Sequence, residues 1–409
     1  MGVGRLKRSV RSLLAVSLLF GGALTAAVIG GALPASAAAV VNTIPVGSSP
    51  VGVSSDGTDV WVANYDESGT VSEIDASTGS VIQTIAVGIL PDCISSDGTH
   101  VWVGNNRSDT VTEIDASTGA VAQTISPVFV PEGISSDGTN VWVADGDENT
   151  VTELDASTGA VVQTIAVGNG NEFDDAYDVS SDGTHVWVAD GGGDTVTELD
   201  ASTGAVVQII AGFNVPEGVS SDGTHVWVAN VGDGTDGTVT ELDASTGDVV
   251  QTIAVGGDPE GISSDGTDVW VTNFDGDAVT ELDASTGAVV QTIAVGKHPV
   301  GISSDGTDVW VANSHSNTVS EIDIAATPPP SPTITKFSPA SGPVGTVVTI
   351  KGTNLSGATK VTFDGVKGTI TKDTAREIKV KVPSGAKTGK IEVVTPGGKV
   401  KTATAFTVT

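Results

Sequence analysis

At 409 residues, with a net charge of −32 and one cysteine, the chain has room for two or more domains and no means of forming an internal disulfide. The charge is unevenly spread. Residues 40–332 hold 46 of the 50 carboxylates and only two bases, Arg107 and Lys297, for a net −44, whereas residues 333–409 hold 12 bases and four acids, for a net +8. A surface at −44 repels phosphate backbones, which excludes nucleic acid as a partner of the large part and leaves cations and basic ligands.

The chain opens on Arg5, Lys7, Arg8 and Arg11, an apolar run from Leu13 to Leu33, and Pro34-Ala35-Ser36-Ala37, an A-x-A cleavage site. This is the pattern of a secretory signal peptide over residues 1–39, cleaved near Ala37, and it predicts a secreted or cell-surface protein. The run is also long enough to span a bilayer if it stays uncleaved, and the rest is exported in either case. Cys93 lies far from the cleavage site, which gives no sign of a lipid anchor, and it stands in a strand where other repeats have Gly.

From Val40 onward the chain repeats itself. Trp61, Trp102, Trp142, Trp187, Trp227, Trp270 and Trp310 are spaced 41, 40, 45, 40, 43 and 40 residues apart, the mark of a repeat architecture. Each unit reads as four short strands, shown by the fifth: PEGVSS, HVWVAN, TVTELD and DVVQTIA. Asp-Gly in SSDGT turns the first strand into the second, and DASTG turns the third into the fourth. Four-stranded units of this length pack as β-propeller blades. Val40 to Gly47 (VVNTIPVG) matches a fourth strand with no first three, and the last unit has three strands and no fourth, so 28 strands make seven full blades. The N-terminal strand is expected to complete the last blade and leave no open edge.

The pattern P-x-G-[IV]-S-S-D-G-T-x-V-W-V-A-N through V-V-Q-T-I-A-V-G resembles the YVTN-type β-propeller repeat family over residues 40–325. The resemblance implies a seven-bladed propeller, commonly extracellular, and no one activity. TPPPSP within residues 326–332 is a stiff linker. Residues 333–409 resemble an IPT/TIG domain, an immunoglobulin-like sandwich, through Pro339, Gly342, Gly345, Thr346, Gly352, Val361, Phe363, Gly365, Pro383, Gly389, Gly398 and Phe406. The fold expected is therefore all-β: a propeller followed by an Ig-like β-sandwich. The tail has no Trp or Tyr to serve as a sugar platform. Its basic surface suits anionic wall polymers, or docking on an acidic surface such as the propeller's.

SSDGT and DASTG barely change between units and share one rim. The other two connections vary and share the opposite rim, where a single asymmetric ligand would find the differences it needs. Tyr65, Phe129, Phe173, Tyr177, Phe213 and Phe274 all fall on that variable rim. The densest group combines Phe129, Glu132, Phe173, Asp174, Asp175, Tyr177, Asp178, Phe213 and Glu217, a mixture of carboxylates and aromatics suited to a cationic ligand. Asp92, Glu132, Glu217 and Glu260 also share one register just after the Pro that opens the innermost strand, where Val51, Tyr177 and Val300 stand in the other blades; together they point to the channel mouth. Asp145, Asp147 and Asn149 begin like a calcium loop. Gly is missing at the sixth position and Ala156 replaces the bidentate Glu, so an EF-hand is excluded and only a looser Ca²⁺ or Mg²⁺ site remains.

No sequence-fixed nucleophile, zinc spacing or phosphate loop is present. The expectation is a monomeric, non-enzymatic, secreted binding or scaffold protein whose acidic rim takes an extracellular protein, a cell-wall component or a small cationic ligand. The alternative is a metal-dependent lyase or hydrolase of the streptogramin-lyase type, with His298 and His315 as its catalytic candidates.

Overall fold

Each repeat folds from its turns outward. In the fifth unit the Asp222 carboxylate caps its own turn, Oδ1 accepting the amides of Thr224 and His225 at 2.8 Å each, while Gly223 takes φ +81°. Asp243 caps the DASTG turn in the same way, through Ser245, and Gly247 takes φ +72°. Between these turns lie Val- and Ile-rich segments that fit a pleated, buried surface.

In the computed structural model, which describes residues 38–126, 128–170, 175–232, 237–324, 332–355, 358, 360–374, 376–395 and 398–409, the chain divides into two compact units, with Ala39–Asp323 in the first and Ile324–Thr409 in the second. The signal-peptide segment up to residue 37, and residues 325–331 of the linker, lie outside the described residues. Among those described, no helix is long and apolar enough to cross a membrane.

Among the described residues, the first unit contains seven four-stranded antiparallel sheets. Six are continuous in sequence, such as Pro50–Ser55, Asp59–Asn64, Thr70–Asp75 and Ser80–Ala86. The seventh joins Pro299–Ser304, Asp308–Asn313 and Thr318–Asp323 to the N-terminal strand Ala39–Pro45, with Ala39 opposite Asp323 and Pro45 opposite Thr318. Inner strands touch their neighbours all the way round, and Pro50–Ser55 meets both Pro91–Ser96 and Pro299–Ser304. The ring is closed.

The repeated SSDGT phrase fastens that ring. The second Ser of each blade donates its hydroxyl to the turn Asp of the preceding blade at 2.9–3.3 Å, seven times over, including Ser55 to Asp305. The same Ser gives its amide to the first Ser of the preceding blade at 3.0–3.1 Å, again seven times. All seven tryptophans are fully buried. Trp227 packs into the next blade against Ile262, Val269, Val271 and Leu282. The core of this unit therefore lies in the seams between sheets, and the outer strands stay largely exposed.

The second unit is a sandwich. One sheet orders Thr333–Ser338, Val347–Thr353, Glu377–Lys381 and Thr369–Thr374; the other has five strands centred on Gly389–Thr395 and Gly398–Val408. Its own core holds Ile350, Val361, Ile378 and Ile391, with Phe363 and Phe406 edge-on at 5.2 Å.

Candidate functional site

The variable rim is built on a repeated device. Before the Pro that opens the inner strand, Ser49, Leu90, Val130, Val215, Asp258 and His298 all take φ between 45° and 52°. Four of these residues donate their amides to an Asp or Asn in an adjacent turn of the same rim: Val130 to Asp109, Val215 to Asp194, His298 to Asp277 and Ser49 to Asn317, at 2.8–3.2 Å. Left-handed Val is a genuine outlier, and its recurrence here marks a scaffold that fixes where the next side chains go.

The residue after that Pro lines the central channel in every blade but the fourth, where Ala176 replaces Pro and Tyr177 takes the place. Val51, Asp92, Glu132, Tyr177, Glu217, Glu260 and Val300 line one cavity of about 320 Å³, and among the described residues no Lys, Arg or His lines it. The channel-mouth register read from the sequence is thus one physical ring. Going round it, Val300 and Val51 sit on neighbouring blades, Asp92 and Glu132 follow, then Tyr177, then Glu217 and Glu260. An apolar sector and a tyrosine face each other between two pairs of carboxylates. Val51 and Val300 were named in this register from sequence, but as exceptions to the carboxylates rather than as one apolar sector, which they become as neighbours in the closed ring.

The next register is tight. A Cβ at Gly218 would stand 2.3 Å from the Glu260 carbonyl oxygen. Two blades break the glycine rule. Cys93 is accommodated because Gly104 replaces the usual Ala opposite it, and burial pushes its thiol well above the ordinary range, with Asp92 adding to the shift. Asp178 accepts the Val179 amide on Oδ1 at 2.9 Å and the Val219 amide on Oδ2 at 3.0 Å, so it ties blade four to blade five. Burial raises its pKa to about 7 against those two hydrogen bonds. Asp178 lines the cavity wall but belongs to the scaffold rather than to the outer rim.

The other rim candidates scatter. Phe129 is exposed, at 49%. Asp175 stands 3.5 Å from the Tyr177 hydroxyl. Phe173 and Asp174 lie outside the described residues. Phe213 is corrected: it is 8% exposed and packs with Trp187, Ala189 and Val226, because the loop that carries it turns inward over the seam.

Asp145 and Asn149 are corrected too. Asp145 is buried and accepts the hydroxyls of Thr150 and Thr152 at 3.0 and 2.7 Å, the place that Asn takes in five blades. Burial raises its pKa to about 6. Asn149 is a left-handed turn residue, φ 50°, whose amide donates to the Val167 carbonyl. Aligning the repeats vertically gives both roles, since Asp109, Asp194, Asp277 and Asn317 share the Asn149 position. Among the described residues no group of three or more His, Cys, Asp or Glu side chains is placed to hold a metal ion, Asp147 included.

His298 and His315 are brought together, with ring centroids 4.0 Å apart, and Phe274 packs on His298 at 4.3 Å. Desolvation, then the neighbouring His298, lowers the His315 pKa. Neither histidine lines the channel cavity.

Residues 332–408 match the IPT/TIG domain family. No curated protein matches the chain. Among solved structures, hydrazine synthase of Kuenenia stuttgartiensis aligns at a TM-score of 0.58 and 20% identity, over 74% of this chain and 99% of that one, a likeness of fold alone. Matches number 1555 chains, so the fold is too widely shared to name an activity. The chain joins a β-propeller of four-stranded sheets to a C-terminal IPT/TIG domain.

Proposed function

We propose that this chain is a non-enzymatic binding protein of the cell exterior whose variable rim takes a small organic cation, or a basic side chain of a partner protein, at the channel mouth. The observation that carries this reading is the seven-position ring: four carboxylates, Tyr177 and the Val300–Val51 sector around about 320 Å³. That volume is at the small end of ligand cavities. Carboxylates attract the charge, the tyrosine face adds a cation–π contact, and the valines accommodate alkyl groups. The propeller's charge of −44 concentrates cations around the entrance. Export follows from the expected signal peptide.

Titration calorimetry with butylammonium, tetramethylammonium and spermidine tests the reading. Glu132→Gln combined with Glu217→Gln is expected to weaken binding tenfold or more. Affinity unchanged in that double variant, or no binding of any of the three at millimolar concentration, overturns it. The lyase alternative is tested by His298→Ala and His315→Ala in an activity screen, where unchanged turnover removes both residues.

A further inference from the structure

The two sheets of the IPT/TIG sandwich carry their lysines differently. On the sheet ordered Thr333–Ser338, Val347–Thr353, Glu377–Lys381, Thr369–Thr374, the core-facing residues are Val348, Ile350, Ile378 and Val380, and the opposite face presents Lys336, Lys351, Lys372, Lys379 and Lys381. Lys336 stands directly opposite Lys351, and Lys372 directly opposite Lys379. Like charges placed directly across a strand pair destabilise a sheet. One acid, Glu377, offsets them, and two lysines share it: Lys372 at 2.9 Å and Lys351 at 3.7 Å. On the other sheet each lysine in the ladder faces something else. Lys360 and Lys399 both pair with Val394, and Lys401 pairs with Glu392.

We propose that the Lys336–Lys351–Lys379–Lys381–Lys372 face is a docking surface for a linear phosphodiester polymer without bases, an extended polyol-phosphate chain. Charge complementarity names the occupant. Alternate residues on a strand lie roughly 6.8 Å apart and neighbouring strands roughly 4.8 Å apart, so the ammonium groups form a flat lattice that an extended polyanion can follow. Each lysine is a compact point charge of the kind that holds phosphate. Thr349 and Thr369 add hydroxyl groups between them, while the Thr374 hydroxyl is turned to the Glu377 carbonyl at 3.0 Å. Among the described residues the face offers no aromatic on which a nucleobase could stack, which separates a polyol phosphate from single-stranded nucleic acid. The propeller, at −44, repels the same polymer, so the contact falls to this domain.

The test uses the full chain and poly(glycerol phosphate), with binding measured between 50 and 200 mM salt. With five lysines engaged, affinity is expected to fall about 100-fold over that range. Lys351→Glu with Lys379→Glu is expected to weaken binding tenfold or more, while Lys360→Glu with Lys399→Glu, the same change in net charge on the other sheet, weakens it less than threefold; circular dichroism and melting confirm that both variants fold. Equal losses in the two variants, or affinity indifferent to salt, overturn the assignment of this face. Single-stranded DNA of equal phosphate count is expected to bind no more tightly than the polyol phosphate, and tenfold tighter binding of DNA overturns the assignment of the partner.

Discussion

The hydroxyl of Ser55 donates to the carboxylate of Asp305 at 2.9 Å across 250 residues of sequence, and this bond fastens the first repeat to the last. Asp305 Oδ1 also caps its own turn through the amides of Thr307 and Asp308. The Trp310 indole N–H donates to Asp305 Oδ2 as well, at 3.3 Å, so Asp305→Ala removes four hydrogen bonds and is expected to cost about 2–4 kcal/mol, while Ser55→Ala costs about 1 kcal/mol. Urea unfolding gives both values. Asp137→Ala, at another seam, is expected to match Asp305→Ala within about 1 kcal/mol, and a larger gap would show that the closing seam differs from the rest.

Trp227 is fully buried in the seam between blades five and six. Trp227→Ala is expected to destabilise by about 3–5 kcal/mol, and Trp227→Phe by much less, since it leaves a smaller void. Equal losses in the two melting curves would place the contribution elsewhere than in packing volume.

The residue before VWV sets a pH dependence. In blades six and seven it is Asp268 or Asp308, each raised to about 6 by burial first and then by neighbouring carboxylates, Glu281 beside Asp268 and Asp305 beside Asp308. In blades two, four and five it is a histidine standing between two acids, as His100 stands between Asp97 and Glu113, and in blade three it is Asn140. A raised folded-state pKa favours folding at low pH, and that benefit is lost as pH climbs from about 4 through 6. Asp268→Asn and Asp308→Asn are expected to stabilise by about 1 kcal/mol each at pH 7.5, after allowance for solvent screening, and by nothing near pH 4. Asp145→Asn, at a more buried position, is expected to gain about 2 kcal/mol at pH 7.5. Melting temperatures at the two pH values check the sign.

Cys93 and Gly104 form a coupled pair. A Cβ on Gly104 would stand 2.4 Å from the Cys93 sulfur. Gly104→Ala alone is expected to cost about 1–3 kcal/mol. With Cys93→Gly added, which restores the Gly–Ala pair of blades three and five, most of that loss is expected to disappear. A double-mutant cycle with no coupling would sink this account.

Much of the propeller was legible because its signals are local and repeated. The tryptophan period gave the units, Asp-Gly gave the turns, and the orphan strand Val40–Gly47 gave the closure found between Ala39–Pro45 and Thr318–Asp323. The site was legible only in part. The register of Asp92, Glu132, Glu217 and Glu260 was visible, since every inner strand starts from the same Pro-bounded corner or its blade-four equivalent. Phe213 was misplaced because a side chain in a rim connection can pack inward without any change in its residue type, and Asp145 because it was read with its own loop rather than in register with the strand-end Asn of the other blades. The burial of Phe213 draws on two blades at once, with Trp187 and Ala189 on one and Val219 and Val226 on the next. The SSDGT phrase, read from sequence as a hairpin alone, also carries the contacts between blades, because its Ser and its Asp bond to different neighbours.

Seven equivalent clasps make the starting point of the chain arbitrary. The ring is sealed by one strand from the beginning and three from the end, and any other blade has the same four strands and the same Ser–Asp fastening. A circular permutant that joins residue 323 to residue 39 through a short linker, and opens before the outer strand of blade three instead, preserves every seam. The propeller is better described as a cycle cut once than as a line with two ends. Its native order of synthesis makes Ala39–Pro45 the earliest strand of the ring to be made and one of the last to find its partner.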